Sequence, residues 1–387
     1  MLLALRWQLL LLFFPQVALT ASLLGACFQH EDAVRDSQSQ AALSLAQLRA
    51  QATAAPGKLC QRGKLLPELY LLGAQKCATT EFSVDLMSSG ILSAAAQRTH
   101  TGLQKEWHFF EYWLGDHNHT WDSQTVERDW YNSLPDCGAY PSSVENRTIL
   151  ADMTPSNMRL VPLGDDMERS NPDAFGHTDV TEINLPVTLK AFYGALSSKV
   201  VFMSLLREPM SRMQSAWYHS QDWKAKTGRT LPGARGQSFH EDLQMSLQEA
   251  EHDRLTMLLW GSLYGRQLQR YLSEFAASQF ILIPYRYYTH LAQQEVCAVV
   301  AKRLGHSLRC KPIKEGGWVP NSHKHPSLVD DVSAQLNERF ERFIAHENEL
   351  LQKVLLQANT EGATLPAFHP SGPATLEAVK DWLIAGW

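Results

Sequence analysis

At 387 residues, with 44% hydrophobic and 19% charged positions, the chain has room for one large domain with appendages or two ordinary ones, and for a sizeable core. Its 22 Gly and 18 Pro are scattered without period, which excludes collagen-like and low-complexity architectures. Thirty-five basic against 40 acidic residues leave a net charge of -5, so nucleic acid is not expected as a partner and any polyanion site is local.

In chain order, the first feature is a mostly apolar run from about Leu9 to Phe28, preceded by Arg6 and followed by Glu31 and Asp32. A helix of about 20 residues covers the hydrocarbon core, and these flanks favour a cytoplasmic N-terminus. Residues 1–29 therefore read as a signal anchor, with a cleaved signal peptide as the alternative because small residues around Ala18, Ala21 and Gly25 offer processing sites. Both readings lead into the secretory pathway, as do the glycosylation sequons at Asn118 and Asn146. Residues 30–66, rich in Ala, Gln and Ser, read as a stem, residues 67–358 as the folded domain and residues 359–387 as a C-terminal tail.

Within the folded part, short apolar runs alternate with amphipathic segments, the pattern of an α/β domain with a central, mainly parallel sheet flanked by helices. The sequence predicts strands over Glu68–Ala74, Lys199–Leu206 and Phe280–Pro284. It predicts helices over Thr79–Ser88 and Ser211–Gln221, and another through Leu263, Leu268, Leu272 and Phe275. A long amphipathic helix is marked by Leu328, Val332, Leu336, Phe340 and Phe343.

Two of the strand-to-helix turns carry chemistry. Gly73-Ala-Gln-Lys76-Cys77-Ala78-Thr79-Thr80 places a lysine and two hydroxyls where uncapped N–H groups attract an anion. It is not a Walker A loop, because Lys76 precedes Thr79 by three residues, and taken alone it reads more readily as a threonine-capped helix than as a ligand site. The second turn, Arg207-Glu-Pro-Met-Ser-Arg212 followed by Ser215, Trp217 and Tyr218, places Arg207 at a strand end and Ser215 two helical turns on, suited to a second phosphate.

Together the two motifs resemble those of sulfotransferases: Lys76-Cys-Ala-Thr-Thr is similar to the 5'-phosphosulfate loop, and Arg207 with Ser215 to the 3'-phosphate segment. The resemblance runs from about Glu68 to Leu351 and points to the Golgi-type carbohydrate branch. It implies a P-loop-kinase-like fold and 3'-phosphoadenosine 5'-phosphosulfate as sulfuryl donor. It also implies a glycan acceptor and a type II Golgi membrane glycoprotein with a lumenal catalytic domain, or a secreted one. Lys105-Glu106-Trp107-His108-Phe-Phe resembles the segment whose glutamate is the general base; His108 then orients it, and Lys76 stabilises the leaving oxygen. Asp152-Met-Thr-Pro-Ser resembles a further family segment, and Asn321–Pro326, with His323 and Lys324, resembles the late loop over the donor. Three residues depart from the pattern. Ala78 replaces a loop glycine, which requires negative φ there; Met153 replaces a lysine of heparan-type enzymes; His323 replaces an arginine, which makes phosphate affinity depend on pH.

By the same resemblance Cys297 and Cys310 are expected to pair, with two unlinked buried thiols as the alternative. Cys77 reads as structural. His117 with His119, and His323 with His325, lack a completing Cys or carboxylate cluster, so no metal is expected. Lys224, Lys226, Arg229 and Arg235, bordered by Trp217 and Trp223, read either as a solvated loop or as a hold on an anionic acceptor, with Trp107 nearby in the same role. A tyrosine- or small-alcohol sulfotransferase, and a silent glycan-binding relative, fit the same motifs.

Overall fold

The three longest strands are buried along their whole length: β1 (Pro67–Gly73), β4 (Val201–Leu206) and β5 (Phe280–Pro284). Continuous apolar runs of this kind belong to parallel strands covered on both faces. With the shorter β2 (Leu92–Ser93) and β3 (Leu150–Asp152), they form a five-stranded sheet in the order β2-β3-β1-β4-β5, every neighbouring pair parallel. This is the open α/β architecture expected from the sequence. The computed structural model describes residues 58–97, 105–111, 122–140, 147–162, 168–169, 183–228, 236–311, 327–328 and 332–387, all within one compact unit, Ala54–Trp387.

The crossovers are α1 (Thr79–Ser88), α2 (Ser123–Ser133), α3 (Leu185–Tyr193), α4 (Pro209–Thr227), α5 (Phe239–Ala250), α6 (Tyr264–Glu274) and α7 (Gln293–Leu304). They are followed by α8 (Ala334–Thr360), which packs on α6, and α9 (Leu376–Ala385), which packs on α8. Near the start of β4, Phe202 stacks on Phe280 at 5.1 Å and meets Phe275, the residue that ends α6, at 4.5 Å, fixing β4 and β5 against the end of that helix.

Several boundaries differ from the sequence reading. Helix α4 runs on to Thr227, because Glu208 and Pro209 start it and Gly228, at φ 70°, ends it. Leu328 and Val332 precede α8, whose cap is Ser333. Residues expected in the stem are already folded from Cys60, where Cys60–Gln61 pairs with Lys64–Leu65 and a disulfide joins Cys60 to Cys137. Nor is the C-terminal segment a loose tail. Thr364 pairs with Ile281 on the open edge of β5, and Val379, Trp382 and Leu383 are buried. Covering that edge removes a row of unpaired backbone groups.

Because β1 lies inside the sheet while its crossover leads outward to β2, the strand order reverses beside it, and ligands bind at the carboxyl ends of strands at such a reversal. Both motif turns leave the sheet there. Ala74 N donates to Leu205 O at 2.8 Å, so the loops after β1 and β4 start side by side.

Candidate functional site

The turn after β1 is tight. A Cβ on Gly73 would lie 2.6 Å from Pro155 O, so only glycine allows this approach to the segment after β3. Ala78 corrects an expectation: its φ is 61°, in the left-handed region, rather than negative, and Lys76 shares that region at 72°. Ala78 is also the N-cap of α1 and supplies no side-chain cap, so the threonine-capped alternative does not hold and the first-turn N–H groups of Thr79 and Thr80 go uncapped. Thr79 is buried, Thr80 half-buried. Burial pulls the Lys76 ammonium below its ordinary pKa, while the charge of Glu81 pushes back. Cys77 is buried, 3.9 Å from the Tyr264 hydroxyl, and burial raises its thiol, which suits a structural residue.

The turn after β4 meets this loop directly. Arg207 Nη1 donates to Lys76 O at 3.3 Å, its guanidinium lies 4.9 Å from the centre of the Tyr285 ring, and Tyr264 donates to Arg207 O at 2.9 Å. Glu208 accepts from the N–H groups of Met210 and Ser211 at 2.7 and 2.6 Å, so the start of α4 is capped by its own carboxylate. With those N–H groups taken, the side chains of this turn, Arg207 and Ser215 among them, are what it offers to an anion. Among the described residues neither the Lys76 ammonium nor the Ser215 hydroxyl has a hydrogen-bond partner. Arg212 is fully buried instead, donating through Nε to Ser262 Oγ at 2.6 Å and through Nη2 to Leu258 O.

The segment 105–111 is held by Thr154, whose Oγ1 accepts from the backbone N–H groups of Trp107 and His108 at 2.9 and 3.0 Å. Thr154 is fixed in turn by Asp152, which accepts from Thr154 N at 3.1 Å and from Asn157 Nδ2 at 3.0 Å. Met153 is buried. The segment carries charges of alternating sign. Lys105 pairs with Glu106 Oε1 at 2.5 Å, and Glu106 Oε2 with His108 Nε2 at 2.8 Å. His108 Nδ1 then meets Glu111 Oε2 at 2.6 Å, and Glu111 Oε1 meets Arg159 at 3.0 Å. Burial raises Glu106, but the His108 hydrogen bond and the Lys105 charge outweigh it and hold the carboxyl at about 2. Burial lowers His108, yet its two carboxylate partners bring it to about 9. Burial likewise opposes ionisation of Glu111, which Arg159 and His108 hold at about 2. At neutral pH the centre is therefore an ionised carboxylate beside an imidazolium.

Two residues here had no motif to announce them. His219 lies one turn beyond Ser215 on α4, where burial first, then Lys76, lowers its pKa against the pull of Glu106. The spacing of four from Ser215 was the available signal. Glu81 stands in the first turn of α1 and is half-buried.

The expected acceptor residues separate. Trp217 is buried, its Nε1 donates to Asp242 at 2.7 Å, and it packs on Phe239; it is a core residue and not an acceptor contact. Trp107, 3% exposed against Phe109, is corrected in the same way, because its indole fills the core under the Glu106 segment. Trp223 is 43% exposed on α4, with Lys224 and Lys226 exposed in its last turn rather than in a loop. Arg229, Arg235, His323, Lys324, Asn118, Asn146, both His-x-His pairs and the N-terminal run lie outside the described residues. Among the described residues no helix is long and apolar enough to cross a membrane. A disulfide joins Cys297 to Cys310, and their sulfurs lie near Asp85.

No family model and no curated protein matches the chain. Among solved structures it is similar to a sulfotransferase from Alicyclobacillus acidocaldarius, at 18% identity, covering 75% of this chain and 96% of that one, with a TM-score of 0.42.

Proposed function

We propose that this chain is a sulfotransferase that moves a sulfuryl group from 3'-phosphoadenosine 5'-phosphosulfate to a hydroxyl of a glycan. The observation that carries the reading is the meeting of two cationic turns, Arg207 on the carbonyl of Lys76, at the carboxyl ends of adjacent parallel strands. That arrangement suits a ligand with phosphates at both ends of a nucleoside. The donor supplies an activated sulfur on a good leaving group. Lys76 and the uncapped start of α1 neutralise the bridging oxygen as its bond to sulfur breaks. Glu106 takes the proton of the acceptor hydroxyl as the new oxygen–sulfur bond forms, and His108 orients the carboxylate.

Arg207 and Ser215 hold the 3'-phosphate, and His323 with Lys324 closes over the donor. Trp223, Lys224, Lys226 and Arg229 face an anionic glycan. The compartment is the Golgi lumen, with residues 1–29 as anchor and Asn118 and Asn146 glycosylated. Two disulfides support that reading, because they persist in oxidising compartments. The test is incubation of the purified protein with labelled donor and a glycan panel, followed by mass spectrometry. Sulfated product is the expected result. A protein that neither binds adenosine 3',5'-bisphosphate in calorimetry nor transfers label overturns the reading.

A further inference from the structure

The turn after β5 carries three tyrosines, and each meets a different part of the molecule. Tyr285 lies against Arg207, whose guanidinium is 4.9 Å from its ring centre. Tyr288 faces α1: its ring meets Phe82 at 4.7 Å, and its hydroxyl donates to Asp85 Oδ2 at 2.8 Å. Tyr287 faces the C-terminal segment, where it stacks on Trp382 of α9 at 5.7 Å. That segment also grips the backbone of the turn, because Arg286 N donates to Gly386 O at 2.8 Å. The contact is close-packed. A Cβ on Gly386 would lie 2.4 Å from Pro284 Cβ and 2.5 Å from the Tyr287 ring, and a proline ring cannot rotate away. Trp382 is itself fixed and buried, with its Nε1 donating to Pro366 O at 3.1 Å and Phe368 edge-on to it at 5.7 Å. The C-terminal segment thus bears on Pro284, Arg286 and Tyr287, the residues on either side of Tyr285.

We propose that α9 and Gly386 form a clamp that positions Arg207: held by them, the turn after β5 presents the Tyr285 ring as the surface on which the guanidinium is set. The inference rests on the donor reading above and deepens it, because it gives a segment remote in sequence the task of aiming the 3'-phosphate arginine. An arginine side chain loses rotamer freedom when it meets a phosphate, and a ring against its guanidinium removes part of that loss beforehand. The Lys76 carbonyl, 3.3 Å from Nη1, restrains one nitrogen; the ring restrains the group as a whole. In this role Tyr287, Trp382 and Gly386 are positioning residues and act on the nucleotide only through Tyr285 and Arg207.

The experiment uses the full chain with Gly386→Ala, Tyr287→Leu, Tyr285→Leu and Tyr285→Phe, each checked for the parent's circular dichroism. Calorimetry compares adenosine 3',5'-bisphosphate with adenosine 5'-monophosphate, which lacks the 3'-phosphate. Gly386→Ala and Tyr287→Leu should weaken the bisphosphate about three- to tenfold, part of the worth of a charge-assisted contact, and leave the monophosphate within about twofold. Where Gly386→Ala does not fold, Tyr287→Leu carries the same comparison. Tyr285→Leu should show the same selective loss, and Tyr285→Phe, which keeps the ring, should bind like the parent. In an Arg207→Ala background the loss from either clamp variant should vanish, whereas independent sites would add. A readout without ligand runs beside these. The Arg207 guanidinium resonance, assigned with Arg207→Lys in arginine-labelled protein, should lose its ring-current shift in the clamp variants and in Tyr285→Leu. Equal loss for both nucleotides, additivity with Arg207→Ala, or a Tyr285→Phe variant as weak as Tyr285→Leu overturns the inference. An Arg207 resonance that neither clamp variant moves overturns it whether or not nucleotide binds. A resonance that moves in a protein binding neither nucleotide supports the clamp and overturns the donor assignment instead.

Discussion

Glu111→Gln tests whether the chain of charges from Lys105 to Arg159 is a working electrostatic device or only a set of contacts. In the parent, His108 is held between Glu106 and Glu111, and its pKa rises from 6.5 to about 9. That rise corresponds to roughly 3 kcal/mol of preference for the imidazolium in the folded state. The lowered Glu106 and Glu111 reflect the same contacts, so their energies are not added to it. The His108 side chain is 23% exposed, which leaves little solvent screening to discount. A group raised on folding contributes its full stability below the unfolded value, 6.5, and loses it as pH climbs through about 9. Removing Glu111 leaves one of two anions, so the variant should lose about 1 to 2 kcal/mol of the pH-dependent part. A further cost, constant across this window, comes from removing the Glu111 charge that lies 3.0 Å from Arg159. Urea unfolding at a series of pH values is the assay. The stability gap between parent and variant should be widest near pH 6 and should narrow through pH 9 towards the constant Arg159 part. A gap that stays the same across that range would refute the reasoning, because it would mean His108 is not held charged by Glu111.

Continuous apolar runs made β1, β4 and β5 legible in the sequence, since a strand covered on both faces has no alternation to lose. The strand-to-helix turns were legible for the same reason: each begins where such a run stops. Cys60–Cys137 was not, because a bridge across a separation of 77 residues depends on which of several pairings the fold selects. Trp107 and Trp217 were read as acceptor contacts because an indole beside cations suits a sugar platform and a core equally; Trp223 is the one that is exposed. Asp242, 25 residues away, and Phe239 hold Trp217 inward, and neither is adjacent to it in sequence. The partners of His108 were half visible. Glu106 stands two residues before it and Glu111 three after, whereas Arg159 reaches Glu111, and not His108, through the turn after β3. Backbone sign is the least legible property of all, as Ala78 shows, since nothing in an alanine announces positive φ.

The other expectations follow from the same geometry. Lys76→Ala and Arg207→Ala should each weaken adenosine 3',5'-bisphosphate binding by about 1.5 to 3 kcal/mol in calorimetry, the worth of one charge-assisted contact. Glu106→Gln should lower kcat by roughly 10² to 10⁴ with donor affinity nearly constant; a variant that keeps most of its kcat moves the base elsewhere. Lys224→Ala with Lys226→Ala should raise the KM of an anionic acceptor and flatten its salt dependence, and equal behaviour across a salt series makes that end of α4 plain surface. Ala78→Gly separates the cost of the loop's conformation from its use. At φ 61° an alanine carries a penalty of about 1 kcal/mol that glycine lacks. Glycine returns part of that gain through the entropy of its unfolded chain, so the net effect on stability should be a small increase. Anion binding should respond differently. Ala78 precedes the uncapped N–H groups of Thr79 and Thr80, and their direction depends on its dihedrals. If the native φ is kept, the glycine variant melts slightly higher and binds adenosine 3',5'-bisphosphate with unchanged affinity. A clear loss of affinity at equal or higher stability would show that the methyl group, by restricting the backbone, preorganises the loop for its anion. A lower melting temperature would mean that the left-handed conformation is not the one the folded loop adopts.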